Sequence, residues 1–167
     1  MGYQEHKNQA PKSVTCAVLI ISGTRTEQSD ESGKLIMQAL EREGHQVISY
    51  SILKNDADSI LKNLDELLKE ESLQVIITSG GTGASHLDIT IETISPILEK
   101  KLDGFGELFR FLTYQEIGTG SIMSRAMAGV VKGRVIICLP GSVKAVSLAV
   151  ERIILPEIGH LVREATR

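Results

Sequence analysis

The chain has 167 residues, 42% of them hydrophobic and 23% charged, which is enough to bury the core of one globular domain. A formal net charge of -3 argues against a nucleic-acid surface, which would need a basic stripe, and no apolar stretch approaches membrane-spanning length. Aromatic residues make up only 4% and tryptophan is missing, so the core must be built from Val, Ile, Leu and Ala, as in parallel α/β sheets.

The first residues and the cysteines bear on the cellular compartment. Residues 1–12 are polar and lack the apolar core of a signal peptide, so we predict a flexible N-terminal tail followed by a single domain at 13–167. Cys16 and Cys138 lie in apolar runs without a C-x-x-C spacing, which is typical of buried thiols in a reducing compartment. We therefore expect a cytoplasmic protein.

The first half of the chain alternates apolar runs with amphipathic segments. The predicted elements are a buried strand at 14–21, a polar loop at 22–30, a helix capped by Ser29 or Asp30 and stopped by Gly44, a less apolar strand at 45–53 nearer an edge, a helix opened by Asn55 and Asp56, and a strand at 73–78. Alternating strands and helices predict a mostly parallel sheet.

A glycine loop follows the third predicted strand. Ser79, Gly80, Gly81, Thr82 and Gly83 can expose successive N–H groups, which form a concave anion site of the kind that holds phosphate. Asp88 lies where a metal bound to such a phosphate needs an oxygen ligand, and Thr90 is a candidate helix cap. The alternative is that the glycines only make a tight turn, since the pattern is neither a P-loop nor a dinucleotide fingerprint.

The second half predicts further helices and one hairpin. The elements are a helical pattern at 90–102 interrupted by Pro96, a helix at 107–116 with Leu108, Phe109 and Leu112 facing inward, a hairpin at 126–139 turning at Lys132 and Gly133, a helix from 143 to about 155, and a last segment that Pro156 starts or kinks. An amphipathic helix is the alternative for the first apolar run of the hairpin.

The turn after the hairpin is a second candidate phosphate site. Gly141, Ser142 and Lys144 follow Pro140 at the start of a helix, where unpaired N–H groups favour anions, although Ser142 alone is more often just a cap. Arg25 also lies beside polar loop residues, as does Arg125, and guanidinium groups can grip phosphate bidentately.

These elements predict an α/β fold: a three-layer α/β/α sandwich with a mostly parallel sheet and one antiparallel strand. The loops at 22–30 and 79–88 leave strands at the carboxyl edge of the sheet, where open α/β sheets bind ligands. The turn at 140–142 joins them if its strand lies alongside.

Several spaced motifs resemble the MoaB/MogA family of molybdenum cofactor biosynthesis proteins. They are S-G-G-T-G with its downstream Asp-x-Thr, T-R-T-x-x-x-D-x-S-G at 24–33 and L-P-G-S-x-K-A at 139–145. G-F-G-E-L-F-R-x-L-x-x-x-E-I-G at 104–118 and S-R-A-x-A-G at 124–129 resemble the MoaB branch in particular. The resemblance implies the molybdopterin-binding fold and transfer of AMP from Mg-ATP to the terminal phosphate of molybdopterin, with release of pyrophosphate.

The resemblance also implies roles for individual residues and partners. By this likeness, catalysis and Mg²⁺ binding fall to Asp88 and Asp56, and binding of ATP and molybdopterin falls to Ser79, Gly80, Gly81, Thr82, Gly83, Ser22, Arg25, Asn55, Ser124, Arg125, Pro140, Gly141, Ser142 and Lys144. Transient contact with the molybdenum insertion enzyme is a further implied partner.

Three positions depart from the family pattern. Asn55 replaces the first of a pair of acids, Gly23 replaces an acidic or amide residue, and Leu87 replaces a basic residue before the aspartate. An alternative is therefore a non-catalytic molybdopterin-binding or carrier protein of the same pathway. An unrelated flavodoxin-like nucleotide-binding enzyme is a third, which leaves the motifs at 105–129 unexplained.

Aromatic residues are concentrated in one segment. At helical spacing Phe109 suits the core, while Phe105, Phe111 and Tyr114 could form an exposed apolar strip, which usually marks an interface. With the family resemblance, this implies a homo-oligomer: a trimer around the sheet-edge surfaces, or a hexamer of two trimers, with this segment at one contact. The alternative is a small satellite core that covers a loop.

Overall fold

A computed structural model describes residues 2–167 as helices packed on a six-stranded sheet. Its elements are α1 (Tyr3–Asn8), β1 (Thr15–Ile21), α2 (Glu31–Arg42), β2 (Gln46–Leu53), α3 (Ala57–Leu67), β3 (Val75–Ser79), α4 (Thr90–Ile94), β4 (Lys100–Lys101), α5 (Asp103–Ile117), β5 (Met127–Val131), β6 (Arg134–Leu139), α6 (Val143–Ala149) and α7 (Leu155–Ala165). Short 3₁₀ turns follow α4 and α5.

The sheet confirms the predicted topology. Its strand order is β2-β1-β3-β6-β5-β4, and β5 is the one strand among the described residues that runs opposite to the other five. β2 is an edge strand, as its weaker apolar pattern predicted. The hairpin between β5 and β6 turns at Lys132 and Gly133, both with positive φ, as the predicted tight turn requires.

Two apolar clusters lie on opposite faces of the sheet. Val18 and Ile20 of β1 join α2, α5, α6 and α7 on one face, whereas Leu19 and Ile21 join α3 and α4 on the other. Successive strand side chains point to opposite faces, so an unbroken apolar run is what a central strand covered on both sides needs. The three-layer sandwich follows from this pattern.

The carboxyl ends of three parallel strands bring the predicted loops together. β1, β3 and β6 are adjacent and paired in register, with Ile20 opposite Ser79 and Ser79 opposite Leu139. The loops that begin at Ser22 and Gly80 and the turn that begins at Pro140 therefore leave the sheet side by side. The prediction that the last turn reaches this edge is confirmed.

Helix α5 differs from its prediction. It begins at Asp103 rather than Glu107 and therefore contains Gly106, which lies before the predicted start of the helix. A Cβ at Gly106 would lie 2.8 Å from the carbonyl oxygen of Ala126, so glycine there permits close helix–strand packing. This longer helix buries Phe105 and leaves Leu108 44% exposed, so the predicted orientations of both were wrong.

Two short elements were also not predicted. β4 consists only of Lys100 and Lys101, and two charged residues carry no apolar strand signal. Helix α1 forms within the segment predicted as a tail, and Lys7 Nζ lies 2.7 Å from Glu157 Oε1 of α7. The division into a flexible tail and a domain stays a prediction.

The last helices form one continuous run. A π-helical turn at Val150–Ile154 links α6 to α7, and Pro156 occupies the first turn of α7, as predicted. The wider turn makes room for the proline ring, which would otherwise press against the carbonyl of Arg152. Within the described part of the chain, we find no helix with the length and apolar character to span a membrane.

Candidate functional site

A cleft of about 510 Å³ opens where the three loops meet at the carboxyl edge of the sheet. Its volume is in the range of small-ligand sites. Residues of the predicted site that line it are Ser22, Arg25, Gly80, Gly81, Thr82, Gly83, Asp88, Ser124, Pro140, Gly141 and Ser142. Ile21, Thr24, Met123 and Ala145 also line it. Distant stretches of sequence thus converge on one cavity.

The glycine loop needs glycine because of its backbone conformation and its close contacts. Gly80 and Gly81 have φ of 107° and 63°, values that side-chain-bearing residues rarely adopt. A Cβ at Gly80 would lie 2.2 Å from the carbonyl oxygen of Ile21. The N–H of Gly80 donates to the carbonyl of Leu139 at 3.0 Å, so this residue ties β3 to the end of β6.

Thr90 braces this loop rather than capping helix α4. Its hydroxyl donates to the carbonyl of Gly80 at 2.8 Å, and its N–H donates to the carbonyl of Gly81 at 2.9 Å. The N-cap position belongs to Ile89, which makes no side-chain cap bond. The predicted cap was therefore wrong, because the buried hydroxyl satisfies a loop carbonyl instead.

Asp88 presents an ionised carboxylate to the cleft. Its Oδ2 accepts hydrogen bonds from the hydroxyl of Ser85 at 2.7 Å and from the Ser85 N–H at 3.1 Å. These bonds, that of the Gly83 N–H and the charge of Arg125 lower the pKa of Asp88 below its ordinary value. A Cβ at Gly83 would come within 2.5 Å of Oδ2, so glycine there lets the carboxylate fold against the loop.

The turn at 140–142 has its carbonyl oxygens held from one side. The carbonyl of Pro140 accepts from the hydroxyl of Ser79 at 2.9 Å. The carbonyl of Gly141 accepts from Arg25 Nη2 at 2.6 Å and from the hydroxyl of Ser32 at 2.9 Å. Ser79 therefore supports the turn from behind and does not itself line the cleft.

The two peptide N–H groups of this turn point the other way. In a trans peptide the C=O and N–H are antiparallel, so fixing the carbonyls of Pro140 and Gly141 also fixes the N–H groups of Gly141 and Ser142. Neither N–H donates to an atom of residues 2–167. The hydroxyl of Ser142 accepts from the N–H of Ala145 at 3.3 Å, so Ser142 caps α6 and also lines the cleft.

Asp56 and Asn55 lie outside the cleft lining. Asp56 caps α3, accepting from the N–H and hydroxyl of Ser59 at 2.9 and 2.7 Å, and these bonds lower its pKa. Asn55 Nδ2 donates to the carbonyl of Leu87, whereas Asn55 Oδ1 is buried without a hydrogen-bond partner among the described residues. The catalytic and metal-binding roles of Asp56 stay predictions, and its oxygens already serve the helix.

Arg125 and Lys144 also do not line the cleft. Arg125 Nη1 donates to the carbonyl of Gly83 at 2.8 Å, and Nη2 pairs with Glu92. This arginine fastens the far side of the glycine loop and lowers the pKa of Glu92. Lys144 is exposed.

The charges that face the cleft are few. Of the described residues that line it, Arg25 is the one cation and Asp88 the one anion. Within residues 2–167, no group of three or more His, Cys, Asp or Glu side chains is placed to hold a metal ion. A Mg²⁺ here would have to take most of its oxygen ligands from substrate phosphates and water, as Mg²⁺ commonly does in sites that bind phosphate.

Two kinds of lining residue escaped prediction. Thr24 adjoins the predicted Arg25 in the same loop, and that adjacency was an available signal. Met123 reaches the cleft from the 3₁₀ turn after α5 and is 61% exposed. No local sequence pattern predicts that this methionine is exposed or that it lies at the cleft.

Comparison with known proteins agrees with this geometry. Residues 17–160 match the family described as "Probable molybdopterin binding domain". Molybdenum cofactor biosynthesis protein B of Bacillus cereus is 45% identical over 168 residues, which cover 100% of this chain and 99% of that protein. The protein of the same name from Bacillus subtilis is 44% identical over 165 residues, covering 98% and 97%.

Solved structures show the same likeness. A crystal structure of Molybdenum cofactor biosynthesis protein B aligns with a TM-score of 0.90 at 45% identity, covering 94% of this chain and 98% of the other. The tungsten cofactor synthesizing protein MoaB from Pyrococcus furiosus aligns with a TM-score of 0.86 at 38% identity, covering 95% and 100%. The chain therefore belongs to the molybdopterin-binding domain family, and within it to the relatives named molybdenum cofactor biosynthesis protein B.

Proposed function

We propose that this protein acts in molybdenum cofactor biosynthesis by binding molybdopterin and Mg-ATP and transferring AMP to the terminal phosphate of molybdopterin. An oxygen of that phosphate forms a bond to Pα of ATP, the bond from Pα to the oxygen bridging to Pβ breaks, and pyrophosphate leaves. Such chemistry needs positioning and charge stabilisation more than covalent help from the protein.

The observation that carries the proposal is the meeting of two phosphate-type backbone loops in one cleft. A Cβ at Gly141 would lie 3.4 Å from Cα of Gly80, so the glycine loop and the turn at 140–142 are neighbours. The reaction joins two phosphorylated molecules, and adjacent sets of N–H donors can hold their phosphates close together. The likeness to molybdenum cofactor biosynthesis proteins supports the pathway.

The charges of the cleft support a requirement for a metal. One guanidinium, that of Arg25, is too little to neutralise a triphosphate. The ionised Asp88 is a suitable oxygen ligand. Asn55 Oδ1 has no hydrogen-bond partner among the described residues and would lie 2.8 Å from a Cβ placed on Gly81. When bound, Mg²⁺ would neutralise the triphosphate and orient it. Residues of the chain would hold the phosphate oxygens and keep Asp88 deprotonated through Ser85.

A second candidate is a molybdopterin-binding carrier without turnover. Within residues 2–167, Asp88 is the only carboxylate that lines the cleft. Position 55 carries an amide, and Asp56 serves as a helix cap. A site with one acid could bind a phosphorylated pterin without activating ATP.

One experiment separates the candidates. The purified protein is mixed with molybdopterin, ATP and Mg²⁺, and pyrophosphate is followed over time, with single omissions of each component as controls. Release that needs all three supports adenylyl transfer. Molybdopterin that co-elutes with the protein without pyrophosphate release supports the carrier. A folded protein that neither releases pyrophosphate nor co-elutes with molybdopterin would refute both candidates. We expect any adenylylated product to pass to the molybdenum insertion enzyme.

A further inference from the structure

Behind the cleft lies a buried carboxylate that the proposed function does not use. Asp30 is completely buried, with Gly33 N–H 3.1 Å from Oδ1, the hydroxyl of Tyr50 2.7 Å from Oδ2 and Arg25 Nη1 3.6 Å from Oδ1. Capping α2 needs only the bond from Gly33. Full burial and two further partners exceed what a cap requires, and a buried charge is stable only when paired.

The space around Asp30 is shaped for this arrangement. A Cβ at Gly33 would lie 2.1 Å from Asp30 Oδ2 and 2.8 Å from Cε2 of Tyr50, so glycine lets the two side chains meet. Burial and the hydrogen bond to Asp30 raise the pKa of Tyr50, so its hydroxyl stays protonated and donates. β2, α2 and the loop after β1 are joined through this one carboxylate.

Arg25 connects the buried carboxylate to the cleft. Its Nη1 faces Asp30, its Nη2 donates to the carbonyl of Gly141 at 2.6 Å, and the side chain lines the cleft at 29% exposure. A guanidinium has five N–H donors in a rigid plane. One N–H is hydrogen-bonded to the carbonyl of Gly141, and the ion pair with Asp30 draws the other end of the guanidinium toward the carboxylate. Together these two contacts restrict the plane in which the remaining donors meet a ligand.

We propose that Asp30, held in place by Tyr50, is a positioning residue: it fixes the guanidinium of Arg25 so that Arg25 grips a ligand phosphate while holding the turn at Gly141. This inference rests on the proposed function, because it takes the ligand of the cleft to be phosphorylated. Asp30 itself touches no ligand and acts only through Arg25.

Charge and position predict opposite effects of removing this carboxylate. If only net charge mattered, Asp30→Asn would make the cleft more positive and tighten binding of an anion. If orientation matters, the freed guanidinium loses its plane and binding weakens. Asparagine is also a good N-cap, so the start of α2 should survive the change.

The test measures binding of Mg-ATP, and separately of molybdopterin, by calorimetry. Arg25→Ala should weaken at least one of the two ligands about tenfold or more, and Asp30→Asn should weaken the same ligand about fivefold. In the Arg25→Ala background, Asp30→Asn should change affinity less than about twofold, because its effect passes through the missing arginine. Arg42→Ala, which removes an exposed arginine paired with Glu151, is the matched control and should leave affinity unchanged.

A second, milder variant keeps the inference testable if Asp30→Asn does not fold. Tyr50→Phe keeps the charge of Asp30 and removes only the hydroxyl, so it should weaken the same ligand by a smaller factor. Tighter or unchanged binding in Asp30→Asn, or full additivity with Arg25→Ala, overturns the inference while leaving the proposed function standing. A parent protein that binds neither ligand overturns both.

Discussion

Gly80→Ala should destabilise the protein far more than an ordinary glycine substitution. Gly80 has a φ of 107°, and a Cβ there would lie 2.2 Å from the carbonyl oxygen of Ile21, where real Cβ contacts essentially never fall below 3.0 Å. An L residue in this region costs about 1–2 kcal/mol from backbone strain alone. The contact adds a term like that of overpacking, about 1–3 kcal/mol, because both partners are held by the sheet.

Gly44→Ala supplies the matched control. Gly44 follows α2 with a φ of 82°, and nothing lies within 4 Å of its Cβ position. It should lose only the part that comes from backbone strain, about 1–2 kcal/mol. The difference between the two variants therefore isolates the close approach of the glycine loop to the end of β1, and it should be about 2 kcal/mol.

Urea unfolding at equal chain concentration measures this difference. Equal concentration keeps any contribution from association the same in both variants. Gly80→Ala should also lose Mg-ATP binding, whereas Gly44→Ala should retain it. Equal losses of unfolding free energy in the two variants would refute the steric argument and leave backbone strain as the whole effect.

Three further predictions concern charge, pH and assembly. Asp88→Asn should lower pyrophosphate release about a hundredfold or more with little change in thermal unfolding; turnover at the parent rate would contradict the role of the charge. Burial lowers the pKa of His45, whose Nδ1 accepts from the N–H of Val14 at 3.2 Å, so the folded chain resists a proton that the unfolded chain accepts. Unfolding free energy should therefore fall as pH drops below about 6.5, and His45→Asn should remove part of that fall in urea titrations; identical profiles would count against it. Phe111→Glu should lower the oligomeric mass seen by light scattering while Gln115→Glu does not; a monomeric parent at micromolar concentration would exclude the predicted assembly.

The fold could be predicted because its strongest signals are local. A few adjacent residues are enough to predict the strand β1 from its apolar run and the tight turn at Lys132 and Gly133. The loops could be placed together because parallel strands share a carboxyl edge. α5 was harder to predict, since Gly106 is a helix breaker by propensity and a packing residue in the fold, a distinction that depends on Ala126 twenty residues later.

Sequence patterns located the loops that line the cleft and not the side chains that support those loops. The glycine pattern at 80–83 locates the cleft directly. The sequence predicts Thr90 as a cap because Thr is common at helix N-termini. In the structure its hydroxyl instead donates a hydrogen bond to the carbonyl of Gly80. The pairing of Asp30 with Tyr50 joins two elements, and no spacing rule connects them in sequence.

The two-residue strand β4 has a consequence for newly made chains. Lys100 and Lys101 pair with Val130 and Gly129 and leave this end of the sheet short and doubly charged. Such an edge gives another polypeptide little backbone to extend, and the ammonium groups repel an identical edge. The short, charged edge therefore disfavours amyloid-like aggregation by strand addition. We expect any association at this end to involve side chains of folded surfaces rather than a seventh strand.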